Sequence, residues 1–457
     1  MTVTAELAEK IVATGYDDLP KAAIAAARRL VLDGVAVAVA GTVQEEAPGI
    51  LAAHVRELGG NPTSSVIGFG FKTSPVNAAY VNGSAMHVLD FEPMWQPANH
   101  QVSTSLPAVL ALAEARCLPG REALTAMVKG IETMGWIRAA SGQHDIKQTH
   151  YHPPGLVGPM GAAVAAGHLL GLDAMQLRNA LGTTSSRIGS ILGNVGTMSK
   201  STNCGLAVAM GLDAALLASR GFTGNTETFD DPRGYVATFF DKDFDTQELL
   251  NYGPPFRVAD PGYAIKMFPS QFGTHFVITA GLELHGKIGD ASRIERVHLK
   301  TPMMAYIDRP KPADGLDGKF SWQYTSACAL LDGKVVISSF TDERRFSPDM
   351  EAMLGKYDLE MRDDIPGRFD QMYVEMRVTL EGGEALETRC TGPRGIWGTP
   401  PIPEADHLVK VRDCLALRFE EETAERIVDL AGRLDELSAD EVAGLMDLLR
   451  GDSGHRQ

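Results

Sequence analysis

Over the first 260 residues, apolar positions recur at helical spacing and are interrupted at short intervals by Gly and Pro. Apolar residues every three to four positions build one buried helix face, and Pro at a start with Gly at an end punctuates such runs. The pattern predicts helices over 22–40, 48–58, 75–89, 107–117 and 121–140, with a turn or small hairpin at 66–71. Two further runs, 155–171 and 205–221, are so rich in Gly and Ala that they read as central, fully buried helices whose small side chains let neighbouring axes approach closely. After about residue 265 the period shortens to two. Residues 295–300 and 373–380 alternate apolar and polar positions, Glu381-Gly382-Gly383 turns the chain, and 385–390 returns, which is the signature of strands and a hairpin. Helices are expected between them at 271–285, 322–331 and around 350–356, and from 404 to 449 the helical pattern resumes. The expected fold is mainly α with an α+β second domain. A large helical domain spans 1–264, a smaller α+β lid domain spans 265–400, and the helices of 401–457 pack back on the first domain.

Composition narrows the function. With 457 residues, 44% apolar and 22% charged, the chain has ample material for a buried core. The best apolar run, 35–41, falls well short of the roughly 20 residues a membrane span needs, so no membrane partner is expected. Forty-two Lys and Arg against 58 Asp and Glu leave a net charge of -16 with no basic block, which argues against a nucleic-acid partner. An acidic protein that takes an anionic ligand must use a few local cations inside a pocket. Five scattered cysteines without a CxxC pair read as reduced thiols rather than a disulfide framework or zinc site, and the N-terminus shows no apolar leader; the expected compartment is the cytoplasm. Gly68-Phe69-Gly70 lacks the third Gly of a dinucleotide loop, and neither a Walker A sequence nor a GxSxG elbow is present, so no flavin, nicotinamide or nucleotide cofactor is expected.

Four polar loops carry the candidate chemistry. The first, 89–100, holds Asp90, Glu92, Trp95 and His100 between apolar helices. Loops on a rigid scaffold often carry function, but this loop alone reads better as carboxylates capping helix ends with Trp95 over the core. The second, 144–154, holds His144, His150 and His152. An extended His150-x-His152 would turn both rings one way, as metal ligands require, with Asp90 or His100 as a third. No carboxylate or Cys partner lies at local ligand spacing, so a general acid–base histidine beside a helix start is the better reading. The N–H groups of that helix start would then attract a carboxylate. The third, 196–205, brings Lys200 to a buried helix, either as a snorkelling side chain or as a cation facing an anionic substrate. In the fourth, Tyr306 and Arg309 follow a strand, where the phenol or the guanidinium could enter a cleft.

In this order the loops resemble the MmgE/PrpD family, a group of 2-methylcitrate dehydratase-, cis-aconitate decarboxylase- and iminodisuccinate epimerase-like enzymes. The resemblance runs over about residues 5–449. It rests on Asn82-Gly83-Ser84-Ala85-Met86-His87-Val88-Leu89-Asp90-Phe91, His152-Pro153-Pro154-Gly155, Arg220-Gly221-Phe222-Thr223-Gly224 and Tyr306-Ile307-Asp308-Arg309-Pro310. It implies a helical domain with an α+β lid and a homodimer. It further implies a lyase, a dehydratase or decarboxylase, that needs neither metal nor cofactor and transfers protons at carbon next to a carboxylate of a small di- or tricarboxylic acid. An epimerase or isomerase, or a catalytically silent member, stands as the alternative. Carried over by motif, the catalytic residues are Asp90, His100, His152, Lys200 and Tyr306. His152 and His100 would move protons, Lys200 would hold the substrate carboxylate, Tyr306 would supply a hydroxyl from the lid and Asp90 would orient a partner. Met94, Asn203, Lys266, Gln271 and Arg309 are assigned to substrate binding.

Three departures matter. Many members read Asp-Phe-Asp-Asp-Thr where this chain has Asp90-Phe91-Glu92-Pro93-Met94. Several carry His where Asn203 stands, and Phe-Pro-Ala-His where this chain has Phe268-Pro269-Ser270-Gln271. A charged hydrogen bond is worth roughly 1.5–3 kcal/mol, so the neutral replacements imply a substrate with fewer carboxylates, or one with an amine or an apolar group near Met94.

Overall fold

A run of Val and Ala through the middle of a 24-residue helix sets the centre of the larger core. The computed structural model describes residues 1–145, 149–240, 243–397 and 402–451. In chain order come α1 (Val3–Ala13), α2 (Lys21–Gln44), α3 (Glu46–Leu58), a small hairpin of β1 (Ser64–Val66) and β2 (Phe71–Thr73), α4 (Pro75–Val88), α5 (Leu106–Arg116) and α6 (Gly120–Ala140). Then follow α7 (Pro153–Leu169), α8 (Ala174–Ser185) and α9 (Ser199–Ala218). α9 packs between α4 and α7. A Cβ at Gly205 would lie 2.2 Å from the Tyr80 carbonyl oxygen of α4, and one at Gly211 2.2 Å from that of Pro159 in α7. The small residues are therefore what lets three axes meet at the core. α9 is also long and apolar enough to cross a membrane, which the run at 35–41 did not reveal; 61% of its apolar window is buried inside the protein.

The helical text does not continue to residue 260. Among the described residues between α9 and residue 273, only α10 (Tyr235–Phe239) and a 3-10 segment at Thr246–Asn251 form, where Gly221, Gly224, Pro232, Gly253, Pro254, Pro255 and Pro261 interrupt the sequence. A second core follows. Its mixed sheet has the order β4–β3–β5–β6, with β3 (Ile294–Pro302), β4 (Tyr357–Arg362), β5 (Val374–Leu380) and β6 (Ala385–Cys390). β3 runs parallel to β4 and antiparallel to β5, which is antiparallel to β6. β5 buries Val374, Met376, Val378 and Leu380 in strict alternation, whereas edge strand β4 is half-buried with no clean period and leaves no such signal in the sequence. α11 (Thr274–Ile288) covers β5 and β6, and α13 (Trp322–Asp332) packs on α11. The short α12 (Gly315–Gly318), α14 (Asp342–Arg345) and α15 (Pro348–Leu354) complete this unit.

The chain then returns to the first core. α16 (Glu404–Ala416) and α17 (Glu421–Gly432) pack on α2, and α18 (Ala439–Arg450) packs on α5 and β1. Val411, Ile427 and Leu445 join the same apolar cluster as Val35 and Val37. The expected domain junction at 400/401 lies outside the described residues.

Candidate active site

A cavity lies where the two cores meet. The helical body supplies Asp90, Met94, Asn99, His100, His152, Leu192, Val195 and Lys200, and the α+β unit supplies Gln271, Phe272, Tyr306, Phe320 and Phe369. Local structure explains each position. His152 is the N-cap of α7, tied down by its N–H to the Ser190 carbonyl at 3.3 Å. Lys200 and Asn203 share the first turn of α9, which begins six residues before the predicted start at 205 and so carries both inward. The 89–105 loop is pinned by a paired backbone bridge between Met94 and Ala264 at 3.0 and 2.8 Å, and this also delivers Lys266 beside Asp90.

Charge is concentrated on two buried carboxylates. Asp90 accepts from the Lys200 ammonium at 2.7 Å and from Lys266 on its other oxygen. Burial alone would raise the Asp90 carboxyl, but the two ammonium groups outweigh it and hold it well below the usual range. Glu92 lies 2.6 Å from Nδ1 of His87 and 3.0 Å from Nδ1 of His100, and accepts from the Ser103 hydroxyl at 3.0 Å. Burial would raise Glu92 as well; the His87 and His100 rings reverse this and keep it ionised. Burial first, then the Lys200 charge, pushes His87 down to about 4 and holds His152 well below 6.5, so both rings are neutral at pH 7. Burial and the nearby Asp90 charge push the Tyr306 phenol upward, keeping its proton.

Two neutral side chains set hydrogen-bond direction. Thr274 N–H donates to Oε1 of Gln271 at 3.3 Å, so the Gln271 amide nitrogen faces Tyr306 and donates to its hydroxyl at 2.7 Å. The phenolic proton is left for the cavity. The Asn203 amide nitrogen donates to Nδ1 of His152 at 3.2 Å, so the neutral ring carries its proton on Nε2, which has no partner among the described residues.

The sequence-predicted residues divide accordingly. Asp90, His100, His152, Lys200, Tyr306, Met94 and Gln271 line one cavity, and Asn203 stands behind His152. Lys266 does not face it: its three donors are spent on the Asp90 carboxylate, the Asp90 carbonyl at 2.9 Å and the Ser270 carbonyl at 3.1 Å, and burial lowers its pKa against the pull of Asp90. Arg309 is also committed elsewhere, to Asp317 and to the carbonyls of Val195 at 3.2 Å and Tyr306 at 3.1 Å. Lys266 has no donor to spare for substrate, and Arg309, with three of its five N–H groups used, does not line the cavity. His150 is exposed while His152 is buried, so the two do not share the cavity as a ligand pair; residues 146–148 of that loop lie outside the described residues. The start of α7 offers few amides, since Pro153 and Pro154 have none and Gly155 donates to the His152 carbonyl at 2.9 Å. Glu92 caps no helix, and its partner His87 is inconspicuous in the sequence because it sits within a helix of mostly apolar and small residues; its place three residues before Asp90 is the one available signal. Ring nitrogens of His87, His100 and His152 lie within 4.8 Å of one another, as do the ligand atoms of His87, Glu92 and Cys204 and those of Asp90, Glu92 and His100, so each set would suit a metal ion.

Two cores, one helical and one α+β, with a carboxylate–lysine–histidine site at their junction define a class of enzyme. The chain belongs to the MmgE/PrpD family: the N-terminal domain of that family matches residues 5–247 and the C-terminal domain residues 268–436. Cis-aconitate decarboxylase of Mus musculus is 30% identical over 99% of this chain and 94% of its own length. Cis-aconitate decarboxylase of Aspergillus terreus is 25% identical over 98% and 96%. 2-Methylcitrate dehydratase of Cupriavidus necator is 26% identical over 64% of this chain and 63% of its own.

Proposed function

We propose that the protein is a lyase that dehydrates or decarboxylates a small carboxylic acid by proton transfer at the carbon next to a carboxylate. The relatives named as a decarboxylase and a dehydratase support lyase action on small carboxylic acids at the coarse level. One observation carries the finer reading: neutral His152 and the protonated, inward-donating Tyr306 line the same cavity as the Lys200 ammonium. Lys200 receives the substrate carboxylate and steadies negative charge as it spreads from the reacting carbon. In a dehydration, the Asn203 amide turns so that its oxygen accepts Nδ1–H of His152, which frees Nε2 to take the proton at the carbon next to the carboxylate, and a hydroxyl departs with a proton from Tyr306. In a decarboxylation, carbon dioxide leaves with the C–C bond broken, and Tyr306 protonates the carbon that keeps the electron pair. His100, held between Asp90 at 3.8 Å and Glu92, returns protons to the site. The apolar wall of Met94, Leu192, Val195, Phe272, Phe320 and Phe369 favours a substrate with an apolar substituent and excludes water. The second reading, an epimerase, uses the same base and acid without loss of a group.

Mass analysis of incubations with hydroxy, unsaturated and imino di- and tricarboxylic acids separates these outcomes. Loss of water or of carbon dioxide supports the lyase and names its type. An unchanged mass with inverted configuration supports the epimerase instead.

A further inference from the structure

Asp90 adopts φ 51°, a left-handed conformation that non-glycine residues seldom take and that persists where the surroundings over-determine it. Two buried ammonium groups meet the chain there. Lys266 donates to the Asp90 carbonyl at 2.9 Å, and Lys410, from α16, donates to the next carbonyl, that of Phe91, at 2.8 Å. The Lys410 ammonium also sits 4.0 Å from the centroid of the Phe91 ring. On its other side it donates to Asp33 at 2.8 Å, in the middle of α2, and His407 meets the same carboxylate oxygen at 2.8 Å. Burial would raise the fully buried Asp33, but Lys410 and His407 keep it ionised. A buried ion pair is weak evidence for stability, since apolar packing of the same volume serves as well. What an apolar side chain cannot supply is the bond to the Phe91 carbonyl.

We propose that Lys410 is a positioning residue of the active site. Anchored by Asp33, it clamps the Phe91 carbonyl as Lys266 clamps that of Asp90. Together they hold the turn that aims Asp90 at Lys200 and Glu92 at His87 and His100. The C-terminal helices thereby become part of the site's support, although Lys410 touches neither cavity nor substrate. The reading rests on the roles proposed above for Lys200 and for His100 between Asp90 and Glu92, but its test needs no substrate.

The test is the histidine side-chain 1H–15N spectrum of the resting enzyme, with the His100 and His152 signals identified from His100→Gln and His152→Gln. The double variant Asp33→Asn/Lys410→Met removes both charges, so no buried charge is stranded. The expected result is a cooperative melt, displaced His100 and His152 signals, and unmoved signals from exposed His54 and from His298 on the lid sheet. On whichever acid the wild type consumes, kcat falls about 10²-fold, as misplacement of about 1 Å can produce, with a smaller change in KM. Coincident His100 and His152 signals in the folded double variant overturn the proposal. If that variant does not fold, Lys410→Arg, which keeps the charge beside Asp33 on a longer planar donor, gives the reading alone: displaced His100 and His152 signals support the clamp, and unmoved ones overturn it.

Discussion

The Lys200 ammonium and the Asp90 carboxylate meet at 2.7 Å, although 110 residues separate them in the chain. Lys266 takes the second carboxylate oxygen, so a single buried anion pairs with two cations. Asp90 is therefore as much an electrostatic keystone as a catalytic neighbour.

Asp90→Asn strands the Lys266 ammonium, which is wholly buried. Removing one partner of a buried pair costs roughly 3–5 kcal/mol, so urea unfolding should show a loss of that order together with loss of turnover. Lys200→Met leaves the Asp90–Lys266 pair intact and should abolish turnover at a smaller cost in stability.

Tyr306→Phe removes the phenolic proton that Gln271 aims into the cavity. A positioned acid contributes about 10²–10⁴-fold, so kcat should fall within that range with the unfolding midpoint little changed. An unchanged kcat assigns the proton to another group.

Asn203→Asp places a carboxylate beside Nδ1 of His152. In the wild type, burial and Lys200 hold this ring well below 6.5, so the neutral form persists as pH falls below 6.5. A neighbouring anion favours the imidazolium, and the acid limb of the pH–kcat/KM profile should move to higher pH. A limb that stays in place separates His152 from the limiting protonation.

Stability should fall on acidification. His87 is pushed down to about 4 in the folded protein against 6.5 when exposed. Between those values the unfolded chain binds a proton that the folded chain does not, so stability is lost as pH falls, at about 1.4 kcal/mol per pH unit for one such ring. The depressed Asp90 and Glu92 act in the same direction at lower pH, because their contribution is present above their unfolded values and lost as pH falls further. Urea midpoints between pH 7 and pH 5 measure this, and His87→Gln should flatten the slope in that window.

Periodicity alone makes most elements legible in the sequence. The Gly/Ala runs announce α7 and α9, and the alternation of 374–380 announces β5. Edge strand β4 is silent because a half-buried strand needs no regular alternation. In the site, chemically unusual residues stand out: a lone Lys at an apolar helix, a His before Pro-Pro, a Tyr after a strand. His87 and Glu92 do not, because their meaning is pairwise and lies in a 2.6 Å contact that no spacing encodes. Lys266 and Arg309 are legible as cations but not as ones held by other partners, since those acceptors, Asp90 and Ser270 for the first and Asp317 and Val195 for the second, are assembled only by tertiary packing.

The most direct test of the central claim is proton NMR of the wild-type enzyme in D₂O with a panel of 2-methylcitrate, citrate, cis-aconitate, malate-type hydroxy acids and iminodisuccinate, extended to monocarboxylates with apolar substituents. One acid is expected to gain alkene signals on dehydration, or to lose a carboxylate and take up one deuteron at the carbon left behind, and His152→Ala and Tyr306→Phe should suppress the change. Deuterium incorporation into an otherwise unchanged skeleton would contradict the lyase assignment in favour of an epimerase. Turnover that survives in His152→Ala would contradict the site itself.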